Sequence, residues 1–307
     1  MTVKQMPPPS ANLLFFPASD TDYTHFQDAE QNKFDDTADG FSPVNAWWLA
    51  DAALLAYWDA RPAATIWERA GLSFTPLSNE GVQCHIGSAD RFAIVAFRGT
   101  QPDDLPDLFD IANIRKIDWT FGGKVHRGFM DAHRRIWRQL DVALRDLKPR
   151  KVWFTGHSLG GAIATLSMDH FSGDKHLYTF GSPPVGDRQF AQLFDQRYPG
   201  RCFRYVNHVD IVVYLASLLD VLVGTYTHVK ERKYIDAAGG ISTGSPSMFE
   251  LLSLILIPRV APPVIGRPPQ DILMSQALVD HTPRRYAVRI WNDYDRLPRV
   301  RGAPAAT

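Results

Sequence analysis

Apolar positions along this chain fall in short blocks whose period switches between that of a strand and that of a helix. Val152, Trp153 and Phe154 form a β-branched and aromatic run, the pattern of a short buried strand. After Gly160-Gly161, the residues Ala162, Ile163, Ala164, Leu166 and Met168 are spaced like a buried helix face. Upstream, 74–77, 82–86 and 92–97 predict three strands, with turns at 79–81 and 87–90. The third, FAIVAF, is continuously apolar, as a central strand covered on both faces would be.

Helical stretches alternate with these strands. Ser42-Pro43 supplies an N-cap and a first-turn proline. The segment that follows, 46–58 (AWWLADAALLAYW), is apolar on most sides and predicts a largely buried helix. Further helices are predicted over 65–70, 128–147 and 188–197, and strands over 177–180 and 202–206. From Phe92 onward the order is strand, helix, strand, helix, strand, which predicts an α/β fold with a mostly parallel central sheet and helices on both faces. Residues 1–40 are Pro-rich, then acidic, and read as an arm laid on a single domain spanning 41–307. A strand pair or ribbon is expected over 226–235. Residues 237–271 are Gly- and Ser-rich, then apolar (FELLSLILI), then Pro-rich, and read as an insertion. Short helical pieces at 272–278 and 282–290 flank Asp280-His281.

Composition narrows the function classes. The chain has 307 residues, 45% hydrophobic and 21% charged, with formal net charge +0. That supports a large core and shows no concentrated basic stripe, so no nucleic-acid partner is expected. Cys84 and Cys202 are far apart and read as two free buried thiols rather than a disulfide framework. No segment approaches the ~20 apolar residues of a membrane span. The N-terminal LLFF lies between Pro9 and Pro17 and is too short for a signal h-region. The expected location is therefore cytoplasmic, or outside by a route this chain does not encode. No metal-ligand spacing is visible, so no metal or other cofactor is expected.

The candidate chemistry sits between the strand at 152 and the helix at 162. Gly156-His157-Ser158-Leu159-Gly160 is a G-x-S-x-G in the strand–turn–helix context of a nucleophile elbow, the mark of an α/β-hydrolase. Ser158 would stand at a helix N-terminus, where backbone N–H groups face developing negative charge. A serine nucleophile needs a base and an acid to orient it, in the chain order Ser, Asp or Glu, His. His281, late and in a loop, is the leading base, with His208 and His228 as alternatives and His170 and His176 less suitably placed. Asp210, just after the strand CFRYV, is the leading acid, with Asp220 and Asp236 as runners-up.

The motifs resemble those of the class 3 lipase family, which includes filamentous-fungal triacylglycerol lipases. GHSLGGA is close to that family's elbow, AFRGT to its oxyanion strand, and Asp118-Trp119 and VHRGF to its DW and VHxGF blocks. TFGSPPVGD, YVNHVDIVV and Asp280-His281 with Tyr286 resemble its remaining blocks. The match runs in dispersed pieces from about Ala46 to Tyr286. The resemblance implies Ser158, Asp210 and His281 as the catalytic residues. It also implies an oxyanion hole from the backbone N–H groups of Leu159 and Thr100, with the Thr100 hydroxyl as a further donor. It implies a lipid ester substrate met at an oil–water interface, and a lid around 105–114. Two features depart from the pattern: Val213 stands where the family has proline, and the 237–271 insertion offers FELLSLILI as a second lid candidate. The alternatives are a phospholipase A1, a feruloyl-type esterase, or a silent lipid-binding module.

Overall fold

The computed structural model describes residues 3–10, 13–14, 17–19, 22–99, 115–214, 226–247 and 276–298. Both lid candidates, at 105–114 and 249–257, lie outside these residues, as do Thr100 and Asp220.

The described strands build one eight-stranded sheet beside a two-stranded ribbon. β1 (Ser73–Asn79) and β2 (Val82–Ser88) form a hairpin. Its two-residue loop, Glu80-Gly81, takes positive φ at both positions, the turn whose twist matches that of paired strands. β3 (Phe92–Phe97) lies antiparallel to β2. β6 (Lys151–His157), β7 (Asp174–Phe180), β8 (Cys202–Asn207) and β9 (Arg232–Ile235) then follow in parallel, and β10 (Ile241–Ser242) closes the edge antiparallel. The ribbon is β4 (Lys116–Asp118) with β5 (Lys124–His126). Every residue of β3, β6 and β8 is buried, so the apolar runs are explained by cover on both faces.

That cover is two apolar layers. One holds α1 (Pro43–Leu55), α2 (Ala60–Arg69) and α7 (Pro283–Arg296). The other holds α3 (Arg127–Leu147), α4 (Leu159–His170) and α5 (Arg188–Arg197). α6 (Gln276–Asp280) leads into α7. Ser42 caps α1 by accepting from the Asn45 N–H, with Pro43 in the first turn. On α3, Phe129, Ile136, Leu140 and Leu144 are buried at helical spacing and the opposite face is charged. Lys148 ends α3 in the left-handed region, ahead of Pro149. Cys84 and Cys202 are free and buried. No helix among the described residues is long and apolar enough to cross a membrane.

Three segments differ from the sequence reading. Residues 22–40 are part of the core, because Tyr23, Phe26 and Phe34 are buried in the α1 layer. Phe34 stacks on Phe92 at 4.8 Å and meets Trp153 edge-on. The cause is Asp51, fully buried in α1, whose carboxylate needs donors. Tyr23 O–H (2.5 Å) and Phe26 N–H (2.7 Å) supply them, with Lys4 Nζ at 3.9 Å. The ribbon expected over 226–235 is instead one strand, β9, because Glu231 turns the chain at φ +59 just before it; Thr227 makes a lone bridge to Gly186. The segment read as an insertion from 237 starts by extending the sheet through β10.

Six buried histidines set a pH limit on this fold. Burial lowers His25 and His133 to about 3, His85, His126 and His176 to about 4, and His157 well below its usual value. Each binds a proton more readily unfolded than folded. Stability therefore falls as pH drops below the unfolded histidine value, by about 1.4 kcal/mol per pH unit and group, until the folded value is reached. Asp51, Asp195 and Asp293, each raised by burial, act in the opposite sense but are fewer. Urea melts at pH 7.5, 6.0 and 5.0 should show the midpoint dropping steeply between the last two. An unchanged midpoint at pH 5.0 would mean that these rings are not held neutral.

Candidate active site

Ser158 stands between β6 and α4 with φ +56 and ψ −129. Few non-glycine residues adopt such angles. The turn closes so tightly that a Cβ on Gly156 would lie 2.3 Å from the carbonyl carbon of Gly160. Glycine is thus required by contact. The Ser158 N–H donates to the Phe180 carbonyl at 3.0 Å, and its side chain makes no capping bond to α4. The hydroxyl is free to face His281, whose Nε2 lies 3.0 Å away.

His281 sits in the short link between α6 and α7. Its Nδ1 is 2.9 Å from each oxygen of Asp210. A carboxylate only accepts, so Nδ1 carries the proton and Nε2 of the neutral ring accepts from Ser158 Oγ–H. All three groups are shielded, with Asp210 0% exposed and Ser158 and His281 2% each. Two more donors serve Asp210: Tyr286 O–H at 2.6 Å to Oδ2 and the Val212 N–H at 2.9 Å to Oδ1. Burial, and next the charge of Asp210, raise Tyr286 well above its usual value, so it remains a hydroxyl donor. A hydroxyl, an imidazole and a carboxylate in this line can carry out nucleophilic acyl transfer.

His157 supports His281 from behind. Its Nε2 lies 2.7 Å from the His281 carbonyl oxygen, so it donates there. Its Nδ1 then accepts from Tyr57 O–H at 2.9 Å. Burial, reinforced by the neighbouring His281, holds its value well below the ordinary one, which keeps Nδ1 an acceptor.

The remaining candidates are elsewhere engaged. His208 Nδ1 meets Asp280 Oδ2 at 2.9 Å. His228 Nε2–H donates to the Val213 carbonyl. His170 pairs with His133 at 3.0 Å on the far face, and His176 stacks on Trp153. Asp236 Oδ1 accepts from the Gly240 N–H in a turn. Leu159 is the first residue of α4, so its N–H has no intrahelical acceptor. Sequence reasoning missed Gly181, where φ is +59 and a Cβ would lie 2.7 Å from Asp210 Oδ2. Its signal was the glycine at the end of the strand TF. Among the described residues no group of three or more metal-binding side chains converges.

Residues 94–219 match the family described as Lipase (class 3). A lipase of Caenorhabditis elegans is 33% identical over 155 residues, covering 47% of this chain and 41% of its own. Secreted mono- and diacylglycerol lipase 1 of Fusarium solani is 34% identical over 129 residues, covering 40% and 37%. The chain thus spans well under half the length of these relatives. A solved structure of Rhizomucor miehei triacylglyceride lipase superposes with a TM-score of 0.54 at 21% identity, over 69% of this chain and 88% of that one. At that identity the likeness is one of fold, the α/β-hydrolase fold.

Tyr286→Phe tests the carboxylate's setting. The change removes one donor from Asp210 and leaves the Asn207 N–H, which donates to the same hydroxyl at 2.9 Å, without an acceptor. A loss of about 1–3 kcal/mol is expected in urea unfolding. A variant as stable as the parent would show that neither bond matters.

Proposed function

We propose that this chain, a member of the class 3 lipase family, is a serine carboxylic-ester hydrolase that cleaves acylglycerol esters. The observation that carries the reading is the buried line from Ser158 Oγ to His281 Nε2 to the Asp210 carboxylate, at 3.0 and 2.9 Å. The names of the relatives, which specify lipases, support acylglycerols as substrates.

In this reading Ser158 Oγ attacks the ester carbonyl carbon while His281 Nε2 takes its proton. Asp210 holds the imidazole in the required tautomer and stabilises the imidazolium. Negative charge on the former carbonyl oxygen meets the Leu159 N–H at the start of α4. Thr100 would be the second donor: Phe97 pairs with Gly156 in the parallel register, so the chain after β3 runs on beside the elbow. Each such donor is worth about 3 kcal/mol in the barrier. Collapse of the intermediate expels the alcohol with the proton from His281. Water, activated by the same nitrogen, then releases the fatty acid and regenerates Ser158. A lipid ester at an oil–water interface is the proposed partner.

Two variants test the assignment. Ser158→Ala should lower ester hydrolysis by ~10⁴-fold or more without loss of fold. Asp210→Asn should lose ~10⁴-fold, since an amide offers N–H where the carboxylate accepted, while Asp236→Asn stays active. The assay is a nitrophenyl-ester chain-length series beside emulsified triacylglycerol, phospholipid vesicles and a feruloyl ester. Retained activity in Ser158→Ala would overturn the mechanism. A preference for phospholipid or feruloyl ester would overturn the substrate class.

A further inference from the structure

The two segments that supply acid and base are paired twice. The segment after β8 carries His208 and Asp210, and the segment before α7 carries Asp280 and His281. His281 reaches across to Asp210, and His208 reaches back to Asp280, at 2.9 Å from Nδ1 to Oδ2. From this reciprocal arrangement we infer that His208 and Asp280 are positioning residues, a second imidazole–carboxylate pair that holds the catalytic one in register. The inference rests on the hydrolase reading above.

Asp280 is fully buried, so its carboxylate must be met by donors. Oδ2 takes the His208 bond, which places the proton on His208 Nδ1. Oδ1 accepts from Gln276 Nε2 at 2.7 Å, with the Arg285 guanidinium at 3.7 Å. The Asp280 backbone is held as well, because Asn207 Nδ2–H donates to its carbonyl at 2.7 Å. Adjacent residues of one segment thus grip both the side chain and the main chain of the residue bonded directly to His281. His208 is itself anchored: its N–H donates to the Ile235 carbonyl at 2.7 Å, and its φ is +43. A residue held in that region without need is uncommon. Here the turn places the ring on Asp280 while Asp210, two residues on, meets His281.

The consequence is geometric. Any rotation at Asp280 carries the His281 ring with it, and a shift of about 1 Å in a catalytic group can cost on the order of 10²-fold in rate. Losing the second pair should therefore lower kcat while leaving substrate affinity alone. A simple staple would lower the melting temperature and leave kcat unchanged.

Three variants of the full chain separate these outcomes, assayed with a soluble short-chain nitrophenyl ester. Glycine and asparagine both tolerate positive φ, but only asparagine puts an N–H donor where His208 Nδ1 stands. His208→Gly should lower kcat about tenfold with KM within about twofold, whereas His208→Asn should stay within about threefold of the parent. Asp280→Asn should match His208→Gly, because an amide oxygen kept on the Gln276 and Arg285 donors leaves its N–H against His208 Nδ1–H. The double variant His208→Gly/Asp280→Asn should be no worse than either single one, since both remove one interaction. Parental kcat in His208→Gly, an Asn variant as impaired as the Gly variant, or losses that multiply would each overturn the inference. If His208→Gly does not fold, Asp280→Asn carries the comparison, and parental kcat there overturns it equally. Ser158→Ala is run alongside. If it is dead while the His208 variants are fully active, only this inference fails. If the parent cleaves no ester, the hydrolase reading itself fails.

Discussion

A carboxylate removed from water must be surrounded by donors, and much of the site follows from how Asp210 is satisfied. Taking one such charge out of solvent costs several kcal/mol unless hydrogen bonds replace the lost hydration. Asp210 receives His281 Nδ1–H, Tyr286 O–H and the Val212 N–H. Two of these donors come from the far side of the chain, so the end of β8 and the start of α7 have to meet. α7 does this with one polar stripe. Tyr286 bonds Asp210 and Asn207, and one turn later Arg289 bonds the Asn207 side chain and the carbonyls of Asp236 and Ala237. The other side of the helix is apolar and lies on α1, where Trp291 meets Trp47 at 4.6 Å. One helix therefore joins the core to the Asp210 loop, and His281 is fixed just ahead of its beginning.

The serine is held by a different kind of constraint. Its backbone angles cost on the order of 1–3 kcal/mol, and such a conformation persists only where the surroundings leave no alternative. β6 is buried along its whole length, and the Ser158 N–H is fixed to Phe180 on the neighbouring strand. α4 starts so close to the turn that its first residues pack against Gly156 and the end of β3. His157, one residue earlier, bonds the main chain of His281. The strained turn and His281 are thus tied together by a ring whose charge burial disfavours.

How much of this could be read from the chain depends on the range of the interaction. The elbow is local: strand residues, small residues and helix residues stand within about a dozen positions, and each is required by contact in the folded turn. The alternation of strands and helices from Phe92 onward is likewise a pattern of neighbours. The choice of Asp210 over Asp236, and of His281 over His208 and His228, is different. All are ordinary polar residues, and what sets Asp210 and His281 apart is that they meet each other and, through His281, Ser158, across 71 and 123 positions; His208 has a distant partner too, but it is Asp280. The burial of aromatic residues from the arm was not legible for a related reason. Tyr23, Phe26 and Phe34 enter the core from a loop, so they follow neither period. A signal was present, since Asp51 is the one charge in an otherwise apolar helix. A buried carboxylate there requires donors from another segment, and Tyr23 and the Phe26 backbone supply them.

That requirement also connects Lys4 to the segment that carries His281. Lys4 lies beside Asp51 and donates to Tyr23 O–H at 2.9 Å. Burial lowers its value, with Asp51 opposing, so the ammonium is kept chiefly by the carboxylate it faces. The same residue clamps α7. Its N–H donates to Asn292 Oδ1 and its carbonyl accepts from Asn292 Nδ2–H, both at 2.9 Å. Three residues on, the Pro7 carbonyl accepts from Arg285. α7 is therefore bonded at its first turn to the arm, along one side to the Asp210 loop, and near its end to the arm again. A helix fixed at three places cannot tilt without breaking these bonds, and His281, two residues ahead of it, is held toward Ser158 by that anchoring together with its own contact with Asp210.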